Sequence, residues 1–329
     1  MKAAVIGAGF IGNIHADAIS ETEGIEVKTV LDRNRELGEK LASKCNAVYT
    51  TNIDDILNDN EIEVVIHGLP TEHRLEFLKK YIEAEKHILC EKPLALTMDE
   101  ADAIRDLLEG YEKTFMVGHV VRFFWEYKSA REMILNGDIG RPGIARVSRI
   151  CGAPSSFVKE DNWYMDTKRS GGVFHDLAIH DLDWLLWTFG PVKTRYAQST
   201  SNKNGIMDYG LGILKFDNGV LAHVEASWIE APGTFRTAFE VSGSEGIIEY
   251  DLKDAQSVNF ALKKPSEGNK AGTAVPESPT LESPYTTQMK HLVKCIQNGA
   301  APLAGIEEAH AALKLALDLR KSAETGEEV

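Results

Sequence analysis

Cysteine is scarce in this 329-residue chain. Cys45, Cys90, Cys151 and Cys295 lie far apart, with no C-x-x-C pair among them. That spacing argues against a zinc ribbon and against a disulfide framework, and it points to a reducing, cytoplasmic compartment. Positive charge is also short. Lys and Arg number 36 against 50 Asp and Glu, a formal charge of −14. A chain this acidic has no general attraction for phosphate backbones, so a nucleic-acid partner is not expected. No apolar run reaches the length of about eighteen residues that a membrane span requires. The opening MKAAVIGAGFIG has one Lys, a short apolar run and a glycine pattern, and reads as mature sequence rather than as a signal peptide. No internal repeat is visible.

What remains is an ordinary globular mixture, 43% apolar and 26% charged, with a length that favours two domains. The first third alternates apolar strands (Ala3–Ile6, Val27–Leu31, Ala47–Tyr49, Val64–Ile66, His87–Cys90 and Phe115–Val117) with helical spacing. Ile14, Ala18 and Ile19 mark one helix, Leu75, Leu78, Tyr81 and Ile82 another, and Ala101, Ile104, Leu107 and Leu108 a third. Such alternation predicts parallel β-α-β units in a doubly wound α/β sheet buried on both faces.

The character changes after about Gly118, giving domains of 1–120 and 121–329. Longer alternating segments follow: IARVSRI, KTRYAQS, YGLGILKF, VLAHVEASW, TAFEVSG, GIIEYD and SVNFALK. They predict a largely antiparallel sheet. Asp217-Asn218-Gly219 reads as a tight hairpin turn with positive φ at Asn-Gly. Val220, Ala222, Val224, Ala226 and Trp228 share one strand face, expected to pack inward. Leu221, His223, Glu225 and Ser227 share the other, expected to be solvated or to meet a second subunit. Residues 263–284 are rich in Pro, Ser and Gly and predict a long surface loop, before helical spacing resumes.

The first chemical motif is Gly7-Ala-Gly9-Phe10-Ile11-Gly12, directly after a strand. Gly7 permits the turn, Gly9 lets the backbone approach a pyrophosphate, and Gly12 lets the helix pack close. Helix-start N–H groups then face the phosphates. Asp32 ends the second strand twenty residues beyond Gly12, where a carboxylate can accept from ribose hydroxyls. It would repel a 2′-phosphate and favour NAD, while Arg33 beside it leaves NADP open. Two more segments fall at the carboxyl ends of strands, Gly68-Leu69-Pro70-Thr71-Glu72-His73 and Glu91-Lys92-Pro93. Lys92 offers a compact charge able to polarise a hydroxyl or carbonyl.

The second cluster is the run SGGVFHDLAIHDLDW, from Ser170 to Trp184. On a helix, Asp176, His180 and Asp183 lie at i, i+4 and i+7 and share a polar face opposite Leu177, Leu182, Leu185 and Leu186. An imidazole flanked by carboxylates suits a catalytic base. No supporting His or Cys pair lies nearby, so no metal is expected.

The segments AVIGAGFIG, HILCEKPLALT, GDIGRPGIARV and SGGVFHDLAIHDLDWLLWTFG together resemble the Gfo/Idh/MocA oxidoreductases. The resemblance implies an N-terminal Rossmann domain and a C-terminal α+β domain with a large, open, mainly antiparallel sheet that builds homodimers or homotetramers. It implies hydride transfer between NAD(P) and a hydroxyl-bearing carbon of a sugar or cyclitol. Carried over, the catalytic residues are Lys92, Asp176 and His180. Cofactor contacts are expected from Gly7, Gly9, Phe10, Ile11, Gly12, Asp32, Arg33, Leu69, His73, Glu91 and Lys92. The family often has a histidine at the position of Arg74, one after His73. The family's R-F-x-P-x-Y stretch runs from Arg122 to Tyr127 without its proline. Substrate contacts are expected from Arg122, Trp163, Asp176 and His180, with Lys168 and Arg169 nearby. The resemblance also leaves two other functions open: a glycosidase that works by transient oxidation on bound NAD, and a silent NAD-binding sugar sensor.

Overall fold

The computed structural model describes residues 1–329 except 154–163, 165, 203–204, 232–233, 253–258 and 263–281. Most of the expected surface loop, and Trp163, therefore lie outside the described residues. The chain divides into two units, Met1–Phe123 with Glu282–His310, and Phe124–Leu281 with Ala311–Val329. No helix among the described residues is long and apolar enough to cross a membrane.

In the first unit every expected strand forms: β1 (Lys2–Ile6), α1 (Phe10–Ser20), β2 (Glu26–Leu31), α2 (Arg35–Cys45), β3 (Val48–Thr50), α3 (Asp54–Leu57), β4 (Ile62–His67), α4 (Arg74–Glu83), β5 (His87–Cys90), α5 (Met98–Leu107) and β6 (Phe115–Val117). The sheet order is β3-β2-β1-β4-β5-β6 and every pair is parallel. Ala3, Ala4, Val5 and Ile6 have no exposed surface, which is why β1 is an unbroken apolar run. The strand order reverses beside β1, and ligands of open parallel sheets sit outside the carboxyl ends of the strands at such a point.

The second unit contains α6 (Trp125–Asn136), β7 (Pro142–Gly152), α7 (Thr167–Ser170), α8 (Ile179–Phe189), β8 (Val192–Ser201), β9 (Met207–Phe216), β10 (Leu221–Glu230), β11 (Phe235–Gly243), β12 (Gly246–Asp251) and β13 (Asn259–Leu262). Its seven-stranded sheet has the order β13-β12-β11-β7-β10-β9-β8. The β7–β10 pair is parallel and the rest are antiparallel. Val220, Ala222, Val224, Ala226 and Trp228 are buried as their alternation requires. Around them Tyr127, Trp184, Phe239 and Tyr250 stack at centroid distances of 4.9–5.4 Å. Arg149, at an inward position of β7, would be an uncompensated charge there. It meets Asp181 of α8 through two bonds, Nε to Oδ2 at 2.7 Å and Nη2 to Oδ1 at 2.9 Å.

Three expectations are corrected. The hairpin at 217–219 has positive φ at Gly219 alone (+93°), not at Asn218. The Asn218 side chain instead accepts from Val220 N–H at 3.1 Å and donates to the Phe189 carbonyl at 2.9 Å. A three-residue loop ending in a left-handed glycine achieves the same reversal. Next, α8 is not amphipathic. Asp181 and Asp183 are buried with Leu182, Trp184 and Leu185, so Asp183 belongs to the interior rather than to a polar face. A helix enclosed on nearly all sides shows no polar stripe. Finally, one cut near 120 does not describe the units. α9 (Pro284–Asn298), with Ser283 as its N-cap, and the start of α10 (Ile306–Thr325) return to the first unit. Met289, Leu292 and Val293 of α9 complete a core with Ala16, Ala18 and Ile19 of α1.

Arg149→Ala would strand the Asp181 carboxylate in the interior, and stability is expected to fall by about 3–5 kcal/mol. The joint replacement Arg149→Met with Asp181→Leu should lose much less, because no charge is left uncompensated. Thermal unfolding of both variants checks this, and equal losses would assign the effect to packing instead.

Candidate active site

In the first unit the glycine turn follows β1. Gly7 has φ +98° and donates its N–H to the Leu31 carbonyl at 2.7 Å. A Cβ on Gly12 would lie 1.9 Å from the Gly7 carbonyl oxygen, so α1 packs against the turn with no side chain between them. A Cβ on Gly9 would meet nothing within 4 Å, and no side chain caps α1. The helix start is therefore an open cradle whose first N–H groups no side chain satisfies, the arrangement a pyrophosphate fits. Ile11 and Leu69 border the turn: their methyls lie 3.1 and 3.2 Å from Cβ positions built on Gly68 and Gly7. Phe10 stands 83% exposed.

Asp32 is half-buried at the end of β2. Its Oδ2 accepts from Ala8 N–H of the glycine turn at 2.6 Å, and its Oδ1 from Asn34 N–H at 2.7 Å. The backbone thus fixes this carboxylate and leaves further lone pairs for ribose hydroxyls. Arg33 beside it is exposed. These residues fit NAD, with Gly7, Gly9 and Gly12 at the pyrophosphate and Asp32 at the ribose.

Beyond β4 the chain separates two neighbours. His73 is exposed, with Nε2 3.5 Å from Glu72 Oε1. Arg74 is buried, and its Nη2 donates to the Leu69 carbonyl at 3.3 Å. His67, at the carboxyl end of β4, is buried against Tyr81, Nδ1 to hydroxyl at 3.0 Å. Burial, with the charges of Arg74 and His73, holds its imidazole well below the usual range.

At the end of β5, Glu91 turns inward. It was expected to touch cofactor, but it is buried, and its oxygens are engaged by His15 Nε2 at 2.7 Å and Lys92 N–H at 3.2 Å. Lys92 is half-buried and precedes a cis peptide to Pro93. Arg122 was expected at the substrate. It is 3% exposed, and its guanidinium donates to the Leu303 carbonyl, tying the segment after β6 to the one before α10.

The second unit presents the other group. Gly171 and Gly172 have φ +75° and +81°. A Cβ on Gly171 would come 2.2 Å from His175 Nδ1, which bonds to the Ser170 carbonyl at 2.9 Å. The Gly172 carbonyl accepts from the N–H groups of His175 and Asp176 at 3.2 and 3.0 Å. Phe174–Ala178 form a π-helical turn that runs into α8. A π turn holds more residues than an α turn, so the uniform i, i+4, i+7 stripe expected for Asp176, His180 and Asp183 does not form. Asp176 is 8% exposed in that turn, and His180 is half-buried in the first turn of α8. Lys168 is exposed and Arg169 half-buried on α7.

The sequence reading passed over His15, His67 and Asp181. His15 could have been found: with Gly12, Ala16 and Ile19 it makes a 0, +3, +4, +7 stripe, and all four are buried.

A parallel sheet of this order, with an open glycine turn and a fixed carboxylate after β2, defines a dinucleotide-binding protein of the α/β class. Residues 1–119 match the oxidoreductase family with an NAD-binding Rossmann fold, and residues 127–249 match the GFO/IDH/MocA C-terminal domain. The chain is similar to a myo-inositol 2-dehydrogenase of Thermotoga maritima, 27% identical over 98% of this chain and 96% of that one. It is also similar to the scyllo-inositol 2-dehydrogenase (NAD(+)) of Bacillus subtilis, 28% identical over 92% and 88%. A levoglucosan dehydrogenase solved with NADH shares the fold at TM-score 0.90, with 20% identity, over 100% of this chain and 98% of that one. The chain belongs to the Gfo/Idh/MocA family and is an NAD-dependent oxidoreductase of the dehydrogenase type.

Gly9→Ala and Gly12→Ala should separate binding from folding. Gly9 has ordinary dihedrals (φ −71°) and open space, so its alanine variant should melt like wild type. It should bind NAD about tenfold or more weakly, which corresponds to roughly 1.4 kcal/mol. Gly12→Ala collides with backbone and should lose about 1–3 kcal/mol of stability. Melting curves and NAD titrations by tryptophan fluorescence decide; a Gly9→Ala protein with wild-type affinity would place the pyrophosphate elsewhere.

Proposed function

We propose that the enzyme oxidises a secondary hydroxyl of a sugar or cyclitol, with Lys92, Asp176 and His180 as its catalytic residues. The observation that carries this reading is the presence, in one chain, of the NAD cradle, the Glu91-Lys92-Pro93 turn and the glycine-led Asp176–His180 segment. Inositol dehydrogenases among its relatives support the substrate class. Alcohol oxidation removes a hydride from carbon and a proton from oxygen. NAD, when bound, supplies the hydride acceptor.

The protein manages the proton. His180 accepts it from the substrate hydroxyl at a ring nitrogen, the task of a positioned general base. Asp176, nearly buried one turn earlier, orients the ring and steadies the imidazolium. The Lys92 ammonium donates to the same hydroxyl oxygen and stabilises the developing alkoxide. Asp32 disfavours a 2′-phosphate, so NAD is the preferred cofactor over NADP.

A panel of cyclitols and aldoses with NAD and NADP, read by cofactor reduction, identifies the substrate. Faster turnover with NADP throughout would overturn the assignment of Asp32. On the best substrate, His180→Ala should lower kcat by about 10²–10⁴ with little change in NAD affinity. Asp176→Asn should cost less. Near wild-type kcat in His180→Ala would remove histidine as the base.

The outer face of the second sheet supports a homodimer or homotetramer. Leu221 pairs with Ile144, and His223 with Ile213 and Arg146, which puts exposed Leu221, Ile144 and Ile213 on the face opposite the core. Apolar side chains gathered on one open face suit a self-complementary interface. Light scattering should read a dimer or tetramer at micromolar concentration, and an Ile213→Lys with Leu221→Lys protein should dissociate. A monomeric, fully active wild type would overturn this.

A further inference from the structure

His15 and Glu91 have no part in the chemistry above, yet both are buried beside the turn that carries Lys92. His15 lies on the inner face of α1 and has no exposed surface. Its Nε2 is 2.7 Å from Glu91 Oε1, and its ring meets Tyr285 edge-on at 5.8 Å. Glu91 donates its own N–H to the His67 carbonyl at 3.0 Å, which fixes its backbone at the end of β5. Its Oε2 accepts from Lys92 N–H at 3.2 Å. Gly118 closes the remaining side: a Cβ there would lie 2.8 and 3.0 Å from the two carboxylate oxygens.

Burial alone would push the Glu91 carboxyl up. The hydrogen bond and charge of His15, with the charges of Lys92 and Arg74, outweigh burial and hold it below the usual range. An ionised carboxylate can only accept, so the proton in the His15–Glu91 bond sits on His15 Nε2. Glu91 therefore receives two N–H groups at once, one from the helix that opens at the glycine turn and one from the backbone of Lys92.

We propose that His15 and Glu91 are positioning residues: the carboxylate of Glu91, steadied by His15, holds the Lys92 turn to α1 and so fixes where the Lys92 ammonium stands relative to the cofactor cradle. The proposal rests on the assignment of Lys92 above. Neither residue touches substrate. Glu91→Gln keeps the shape, but its amide offers one acceptor and one NH₂, so both ties survive only if the His15 proton moves to Nδ1, a buried atom with no hydrogen-bond partner, and the support is weakened. His15→Leu removes the donor. His15→Gln restores an N–H at the same reach.

The test uses the full-length protein in two arms. In the first, cofactor-free protein is reductively methylated with ¹³C-formaldehyde, and the Lys92 methyl resonance is assigned by its absence in Lys92→Met. That resonance should shift in Glu91→Gln and His15→Leu and return toward its wild-type position in His15→Gln. In the second arm, kcat is measured on the polyol that the panel identifies, with NAD affinity followed by fluorescence. Glu91→Gln and His15→Leu should lower kcat by about 10–100-fold, the usual worth of a group that orients a reactive one. NAD affinity and substrate KM should stay within about threefold of wild type. His15→Gln should recover most of the rate. In a Lys92→Met background the same changes should cost nothing further, because they act through Lys92.

An unmoved resonance together with wild-type kcat in both variants would overturn the positioning role while Lys92→Met still lost activity. Equal losses with and without Lys92 would assign His15 and Glu91 to general stability and also overturn it. Wild-type kcat in Lys92→Met would instead remove Lys92 from the chemistry, a failure of the earlier reading that the first arm tells apart.

Discussion

Helix α1 touches the Gly7 carbonyl at a position where no side chain can stand. A Cβ at Gly12 would be 1.9 Å from that oxygen, so the helix axis is fixed by backbone contact. From there the helical repeat dictates the rest. The start of the helix lies at the carboxyl end of β1, where its uncapped N–H groups suit a pyrophosphate. Three residues on, His15 falls beneath Glu91. Ala16 beside it and Ile19 one turn further continue the same face and receive Met289 and Leu292 from α9. One absent side chain therefore sets the cradle, the support under the Lys92 turn and the seat of a helix some 270 residues away in sequence.

The second unit solves a different problem, a guanidinium in an apolar layer. Arg149 stands opposite Ala226 on one side and Thr237 on the other. A one-residue slip of β7 would swing it to the outer face and leave Asp181 buried without a countercharge. Buried ion pairs add little net stability over apolar residues of similar size, but breaking one is costly. The Arg149–Asp181 pair thus penalises the wrong register more than it rewards the right one. Tyr127 adds to this, its hydroxyl 3.3 Å from Arg149 Nη2 and 3.4 Å from Asp181 Oδ1.

What could be read from the residues was what local pattern encodes. Unbroken apolar runs such as AAVI marked strands covered on both faces, and alternation at 220–228 marked the inward face of β10. The glycine spacing announced the cradle because each glycine answers a local steric demand. Pairings across long separations left no such trace. Nothing near Asp181 announces Arg149, and Asp183, expected on a polar stripe with Asp176 and His180, is an interior group. The extra residue in the π turn at Phe174–Ala178 is likewise set by packing: His175 lies against Gly171, and the ring of Phe174 lies 2.5 Å from where a Cβ on Gly210 would stand. The return of Glu282–His310 to the first unit is a tertiary choice, made by the apolar stripe of α9 finding α1.

Each unit contributes a carboxylate and a cationic or basic group of opposite accessibility. Glu91 is 7% exposed and Asp176 is 8%, while Lys92 and His180, the groups assigned to the proton, are half-buried. A residue that exchanges a hydrogen bond or a proton with substrate has to be reachable. A carboxylate that only steadies another group acts more strongly where water is excluded, since its field is less screened and its geometry is locked. Burial thus agrees with the proposed division, in which Glu91 and Asp176 would hold and Lys92 and His180 would act. The division follows the backbone: Glu91 directly follows β5, its N–H held by the His67 carbonyl, and Asp176 lies in a turn pinned by the Gly172 carbonyl. Lys92 lies in the turn that follows β5, and His180 in the first turn of α8.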